Sequence, residues 1–218
     1  MYSGNGAVSA GWPAQSAFLS FDALWALNEP IMTKSCDYFQ QPNNSPQEIA
    51  DIKNAILSVS QTSGIDKRFI LSILMQESHG CTRAWTTNYG VNNPGLMQSH
   101  DGTGSCNLGL SNNSVSVTTP GPVKNPCPAS DITQMIHDGV MGTPSGDGLK
   151  QTLAQAGNTT VARFYRAARI YNSGSVAPSG MLGQGIATHC YSSDIANRLL
   201  GKLTGGASAC KLDKPPPK

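Results

Sequence analysis

The sequence predicts a mainly α fold with one large irregular loop region, stapled by disulfides. Three observations carry this. Apolar residues recur at helical spacing before residue 81 and again after residue 129; the stretch between shows no long periodic run; and six cysteines lie far apart along the chain. Strand signals are few, and no internal repeat is apparent. Residues 1–19, rich in Gly, Ser and Ala, read as an extended N-terminal arm. Ser20 or Asp22 can cap a short helix over Ala23, Leu24, Trp25 and Leu27, stopped near Pro30. Residues 36–46 are polar and punctuated by proline, hence loop. Pro46 suits the first position of a helix running to about Gln61, with Ile49, Ile52, Ile56 and Val59 inward. Gly64 ends it, and Asp66 opens a helix that closes on Glu77.

From Cys81 to Ala129 the chain carries Trp85, Tyr89 and a run of Gly, Asn, Ser, Thr and Pro. So long an irregular stretch in a small domain implies either function or a covalent staple. Helices resume at Asp131 (Ile132, Met135, Ile136, Val140) and near Gly148 (Leu149, Leu153, Ala156). Another is expected from Thr160 through Tyr171, with Val161, Phe164, Ala168 and Tyr171 inward, and a last one over about Ser193 to Leu203. The tail Lys214-Pro-Pro-Pro-Lys218 reads as a stiff linker. The expected organisation is an arm over 1–19, one domain over 20–212 and a Pro-rich linker fragment over 213–218.

The 218 residues suffice for one domain with a real core. Charged residues make up 13%, about half the usual share, so Ser, Thr, Asn, Gln and Gly must dominate the surface. A net charge of +2 and a pI near 8.2, with Lys and Arg scattered, argue against nucleic acid as partner. Mild basicity suits an anionic polymer. No run of about 18 apolar residues is present, so no membrane span is expected.

Cys36, Cys81, Cys106, Cys127, Cys190 and Cys210 never form the close pairs that zinc ribbons and redox dithiols need. Disulfides in an oxidising compartment are the better reading, and a secreted, extracellular protein follows. Cys106–Cys127 is expected as a local staple of the irregular region, with Cys36–Cys81 and Cys190–Cys210 for the rest. Sequons at Asn43, Asn112 and Asn158 fit secretion. Met1-Tyr-Ser-Gly-Asn carries no basic-then-apolar leader, so Met1 reads as a start placed on a mature sequence.

The chemistry centres on Glu77. Phe69, Ile70, Ile73, Leu74 and Glu77 share one helical stripe, so this carboxyl points the way core residues point. Desolvation of that kind raises a carboxyl pKa, as a general acid near neutral pH requires. The bland alternative is an acid on the rim of the stripe. The chain has only three glutamates: Glu29 sits beside Pro30, and Glu48 lies in the first turn of a helix, where the dipole explains it. Two further segments change the odds: Gly95-Leu96-Met97-Gln98 and Ile170-Tyr171-Asn172-Ser173-Gly174.

Glu77-Ser78-His79-Gly80 followed by these two segments resembles, in order and rough spacing, the motif series of the lysozyme-like superfamily. Within it the chain is most similar to soluble lytic transglycosylases and goose-type lysozymes, which cleave the glycan of peptidoglycan. The resemblance covers roughly Ile49 to Leu203. It implies a lysozyme-like helical domain and glycosidase activity on the β-1,4 bond between N-acetylmuramic acid and N-acetylglucosamine, with Glu77 as catalytic acid. It further implies that Tyr171 approaches the Glu and that Asn172 lines the cleft. Peptidoglycan glycan strands are then the partner, met by a monomer with no cofactor, no metal and no membrane. The long Gly-, Pro- and Ser-rich loop after Gln98 and the six cysteines depart from the bacterial enzymes.

Other candidates carry two readings each. Ser78 can bond the Glu77 carboxylate or cap the helix end. Gln98 offers donor and acceptor to a sugar, or fixes its own loop. Leu96 and Met97 read as packing. Tyr89 and Trp85 suggest a sugar-stacking wall, or anchors of the loop. An inverting hydrolase needs a second carboxylate roughly 6.5–9.5 Å from the acid to hold water. Asp101 is the nearest acid after Gln98, yet Asp101-Gly102-Thr103-Gly104 equally reads as a turn. Lytic transglycosylases manage with one Glu, closing the sugar's own hydroxyl onto its anomeric carbon, and chitinase action stays open. The disulfide-rich, secreted character leans to hydrolysis. A Cys–His protease would need a free thiol, and His79, His100, His137 and His189 are too isolated for a zinc site. A sugar-binding module without catalysis is the non-enzyme alternative.

Overall fold

A helical stretch that is apolar on nearly every side has to be buried on every side, and one such stretch lies in the larger part of this molecule. The computed structural model describes residues 1–111, 118–157 and 160–203. Among these lie seven α-helices: α1 (Phe21–Met32), α2 (Pro46–Ser63), α3 (Lys67–Glu77), α4 (Ala129–Met141), α5 (Leu149–Gln155), α6 (Ala162–Ser173) and α7 (Tyr191–Leu199). Three short strands, β1 (Thr86–Asn88), β2 (Asn92–Asn93) and β3 (Leu110–Ser111), form a sheet of order β2-β1-β3. β1 pairs antiparallel with β2 and parallel with β3. The chain divides into two compact units, Trp25–Lys150 and a second made of Met1–Leu24 with the residues from Gln151 onward.

In the unit Trp25–Lys150, every residue from Phe69 to Met75 of α3 is buried. The helices around it begin and end where side-chain chemistry dictates. Ser45 caps α2 by accepting from the Glu48 N–H, and the Glu48 carboxylate answers at the Ser45 N–H, a capping box with Pro46 just inside it. Gly64 closes α2 in the left-handed region at φ 74°. Asp66 caps α3 and binds the Arg68 guanidinium through both carboxylate oxygens. Burial pushes the Asp66 carboxyl up, but the hydrogen bonds and charge of Arg68 outweigh this and hold it below its ordinary value. Pro30, expected to stop α1, lies inside it, and α1 ends two residues later.

Two predicted disulfides are present. Cys36–Cys81 ties the turn before α2 to the turn after α3, and Cys106–Cys127 staples the irregular region. The third expected pair involves Cys210, outside the described residues; among those described no cysteine is free. No described helix is long and apolar enough to cross a membrane.

The second unit corrects the expectation of an extended arm. The first nineteen residues carry two 3-10 turns, Val8–Ala10 and Gln15–Ala17, and are docked. Trp12, 2% exposed, lies between Tyr2 and Tyr165, with ring centroids 5.4 and 4.7 Å away. Tyr165 donates to the Pro13 carbonyl at 2.8 Å, and the Leu19 N–H reaches the Leu199 carbonyl at 3.0 Å. Composition alone hides this, because Tyr165 and Phe164, against which Trp12 and Phe18 pack, lie on α6, far along the chain.

Candidate active site around the end of helix α3

Where α3 stops being buried, Glu77 begins. Gln76 and Glu77 are half-buried, the last two residues after seven fully buried ones. The helix then breaks sharply: Ser78 caps it, and His79 and Gly80 both take left-handed conformations, at φ 55° and 79°. Asn44 holds this turn from outside. Its side-chain amide donates to the Met32 and Gly80 carbonyls at 2.8 Å each and accepts from the Thr82 N–H and hydroxyl.

Ser78 joins two of the three motif segments. Fully buried, its hydroxyl donates to the Leu96 carbonyl at 2.8 Å, lies 3.2 Å from the Leu74 carbonyl and accepts from the Gly80 N–H. Expected to line the substrate site, it instead pins Gly95–Gln98 to the end of α3, a positioning role. Leu96 and Met97 are fully buried, as packing residues should be. The loop rests on α4: the Leu96 N–H points at the Met135 sulfur at 3.2 Å, and a Cβ on Gly95 (φ 74°) would fall 2.5 Å from that same sulfur. Asp138 of α4 then accepts from the Thr103 and Gly104 N–H groups at 2.7 and 3.0 Å.

Gln98 has its amide occupied within the protein. Its Oε1 accepts from the Thr87 hydroxyl at 2.8 Å, and its Nε2 donates to the Trp85 and Gly95 carbonyls at 2.9 and 3.0 Å. It thereby fixes β1 against the loop, which favours the loop-fixing reading over direct sugar contact. Trp85 is 3% exposed and packs in a cluster with Cys36, Phe39, Cys81 and Ala84, so it is an anchor and no part of an exposed wall. Tyr89, at the turn between β1 and β2, is 68% exposed and keeps that availability. Asp101 is exposed, left-handed at φ 51° and accepts from the Ser145 hydroxyl at 2.9 Å. Its N–H closes onto the Asn92 carbonyl at 2.8 Å, and it lies inside a turn closed by the Gly102 N–H on the Ser99 carbonyl at 3.0 Å, earlier than the expected turn over 101–104.

The third motif segment lies in the other unit. Tyr171 is half-buried on α6. Asn172, expected to line a cleft, accepts through Oδ1 from the Arg169 guanidinium and from the Thr188 N–H at 3.2 Å. Arg169 is fully buried and also donates to the Thr188 carbonyl at 2.8 Å, so the two residues fasten the segment before α7 onto α6. Comparison with protein-family models, curated proteins and solved structures finds no match to the chain.

Sequence reasoning missed Asn44 and the full role of Glu48, and the first miss has an instructive cause. Asn43-Asn44-Ser45 matches a glycosylation sequon, yet each residue has structural work. Asn43 accepts from the Cys36 N–H at 3.0 Å and donates to Asp37 at 2.6 Å, Asn44 clamps the α3 turn, and Ser45 caps α2. Asn112 and Asn158 lie outside the described residues. Glu48, read as a first-turn acid only, is 2% exposed and pairs with the fully buried Arg83 while accepting from the Cys127 N–H at 2.7 Å. Burial pushes its carboxyl up, but the N–H groups of Ser45 and Cys127, the Ser45 hydroxyl and the Arg83 charge hold it below its ordinary value. No group of three or more His, Cys, Asp or Glu among the described residues is placed to hold a metal.

Proposed function

We propose that the protein is a secreted glycosidase of the lysozyme type that cleaves the β-1,4 bond between N-acetylmuramic acid and N-acetylglucosamine in bacterial peptidoglycan. The observation that carries this reading is the placement of Glu77. It is a half-buried carboxyl at the end of a helix whose residues Phe69–Met75 are all buried, and the Gly95–Gln98 segment is bonded to that helix end through Ser78. A rigidly mounted carboxyl, half withdrawn from water, suits proton delivery to a leaving sugar oxygen. In this reading Glu77 donates its proton as the glycosidic C–O bond breaks and the anomeric carbon gains oxocarbenium character. Ser78, Gln98 and Asn44 hold the surrounding backbone, and Tyr89 offers an exposed ring to the glycan. Two disulfides fit a protein working outside the cell.

Asp101 decides between two products, and its setting favours weighing the second. An exposed carboxylate engaged with Ser145 on a tight turn is a loosely mounted base for positioning water. A single-carboxylate route needs none: deprotonated Glu77 takes the proton of the muramyl C6 hydroxyl as its oxygen closes on the anomeric carbon, giving a 1,6-anhydro end. Mass spectrometry of digested peptidoglycan separates the two. Reducing ends, with activity lost in Asp101→Asn, mean hydrolysis; 1,6-anhydro ends, with full activity in Asp101→Asn, mean transglycosylation. No glycan product from either polymer, peptidoglycan or chitin, sinks the glycosidase reading.

A further inference from the structure

Tyr38 is 55% exposed, yet it is held firmly. It lies in the 3-10 turn Ser35–Phe39, between Cys36, which is tied to Cys81, and Phe39. The Phe39 ring meets Tyr38 edge-on at 5.0 Å on one side and the buried Trp85 at 5.6 Å on the other. The turn closes on Gln40, left-handed at φ 53°. Facing Tyr38 at 6.2 Å is the ring of His79, itself left-handed and two residues beyond Glu77. The two rings meet tilted by 56°, and two non-glycine residues beside them, Gln40 and His79, hold a conformation that L side chains rarely adopt; such strain concentrates at ligand clamps. A tyrosine serving stability alone would gain by burying its face. This one is mounted on the core with the ring left outside.

We propose that the Tyr38 ring, with His79 at its edge, forms a shelf near Glu77 on which one pyranose ring of the glycan stacks. The C–H face of a sugar carries slight positive charge and suits the negative face of an aromatic ring. The shelf rests on the proposed glycosidase reading and deepens it, because it gives the Glu77 site a fixed subsite. Tyr38 is a substrate-binding residue in this scheme, and it acts on affinity.

The test uses cosedimentation with purified peptidoglycan and with chitin, on a Glu77→Gln background that stops cleavage, together with KM and kcat in otherwise wild-type protein. A stacking contact as strong as an aromatic pair corresponds to about 3- to 10-fold in affinity. Tyr38→Ala is expected to weaken binding and raise KM by that factor with kcat within about twofold, while Tyr38→Trp keeps wild-type values. Unfolding temperature must match wild type in both. Unchanged binding and KM in Tyr38→Ala, equal losses in Tyr38→Ala and Tyr38→Trp, or no sedimentation of the Glu77→Gln parent with either polymer overturns the shelf. Undiminished cleavage by Glu77→Gln overturns the role of Glu77, and absence of any glycan product from wild type overturns the glycosidase reading, so these failures are distinguishable from failure of the shelf.

Discussion

Glu48 and Glu77 sit in the same unit at opposite kinds of helix end, and the contrast separates a carboxylate that structure accounts for from the one proposed to do chemistry. Glu48 occupies the first turn of α2, where the helix dipole favours negative charge, and is 2% exposed. Backbone N–H groups of Ser45 and Cys127 and the Arg83 guanidinium meet it at 2.6 Å, 2.7 Å and in an ion pair. Arg83 passes the connection on to the Lys124 and Pro42 carbonyls and to Asn125. Glu77 occupies the last turn of α3, where the dipole disfavours negative charge, and it is half-buried. Helix energetics explain the first position completely and oppose the second. The carboxyl proposed as general acid is thus the one whose charge the local helix field disfavours.

That contrast makes stability the sharpest place to break it. Glu48→Ala leaves Arg83 buried without its carboxylate and is expected to cost about 3–5 kcal/mol, measured by denaturant unfolding with disulfides intact. Glu77→Gln should stay within about 0.5 kcal/mol of wild type in the same experiment. Comparable losses at the two positions would erase the distinction.

Acid should expose the same asymmetry. The Glu48 and Asp66 carboxyls are held below their ordinary values, so their stabilisation is complete above the unfolded-state pKa and lost as pH falls through the folded one. The unfolding temperature should therefore be flat with respect to these groups above about pH 5 and fall below about pH 4. Glu48→Gln should flatten that acid limb; an unchanged limb removes Glu48 from the account.

A smaller effect is expected at the pins of the motif loop. Ser78→Ala removes the bond to the Leu96 carbonyl, and Gln98→Ala removes the links to Thr87, Trp85 and Gly95. Each should cost about 1–2 kcal/mol and lower turnover through a loosened loop. For Gln98, lost turnover at unchanged stability would instead restore direct contact with the glycan.

The sequence disclosed what local rules control. Ser45-Pro46-x-Glu48 and Asp66 announce their helices because capping needs only neighbours, and α3 follows from an uninterrupted apolar run. Cys106–Cys127 was legible as a staple of a structureless stretch. The three strands were not, because Thr86-Thr87-Asn88 and Asn92-Asn93 have no apolar alternation; their pairing comes from backbone bonds and the Gln98 amide. Trp85 defeated the reading for another reason: the same ring suits a sugar or a core, and only the Cys36, Phe39 and Cys81 side chains around it decide. Arg83 and Asn44 show the same limit, since each gathers partners about forty residues away.

The most direct test of the central claim is cleavage of purified peptidoglycan by Glu77→Gln beside wild type, with unfolding temperature as control. The amide keeps the shape of the side chain and cannot protonate a leaving alkoxide, so the rate should fall by at least about 10²–10⁴-fold while the unfolding temperature holds. Wild-type cleavage by folded Glu77→Gln would contradict the account and leave Glu77 as a half-buried acid at a helix end.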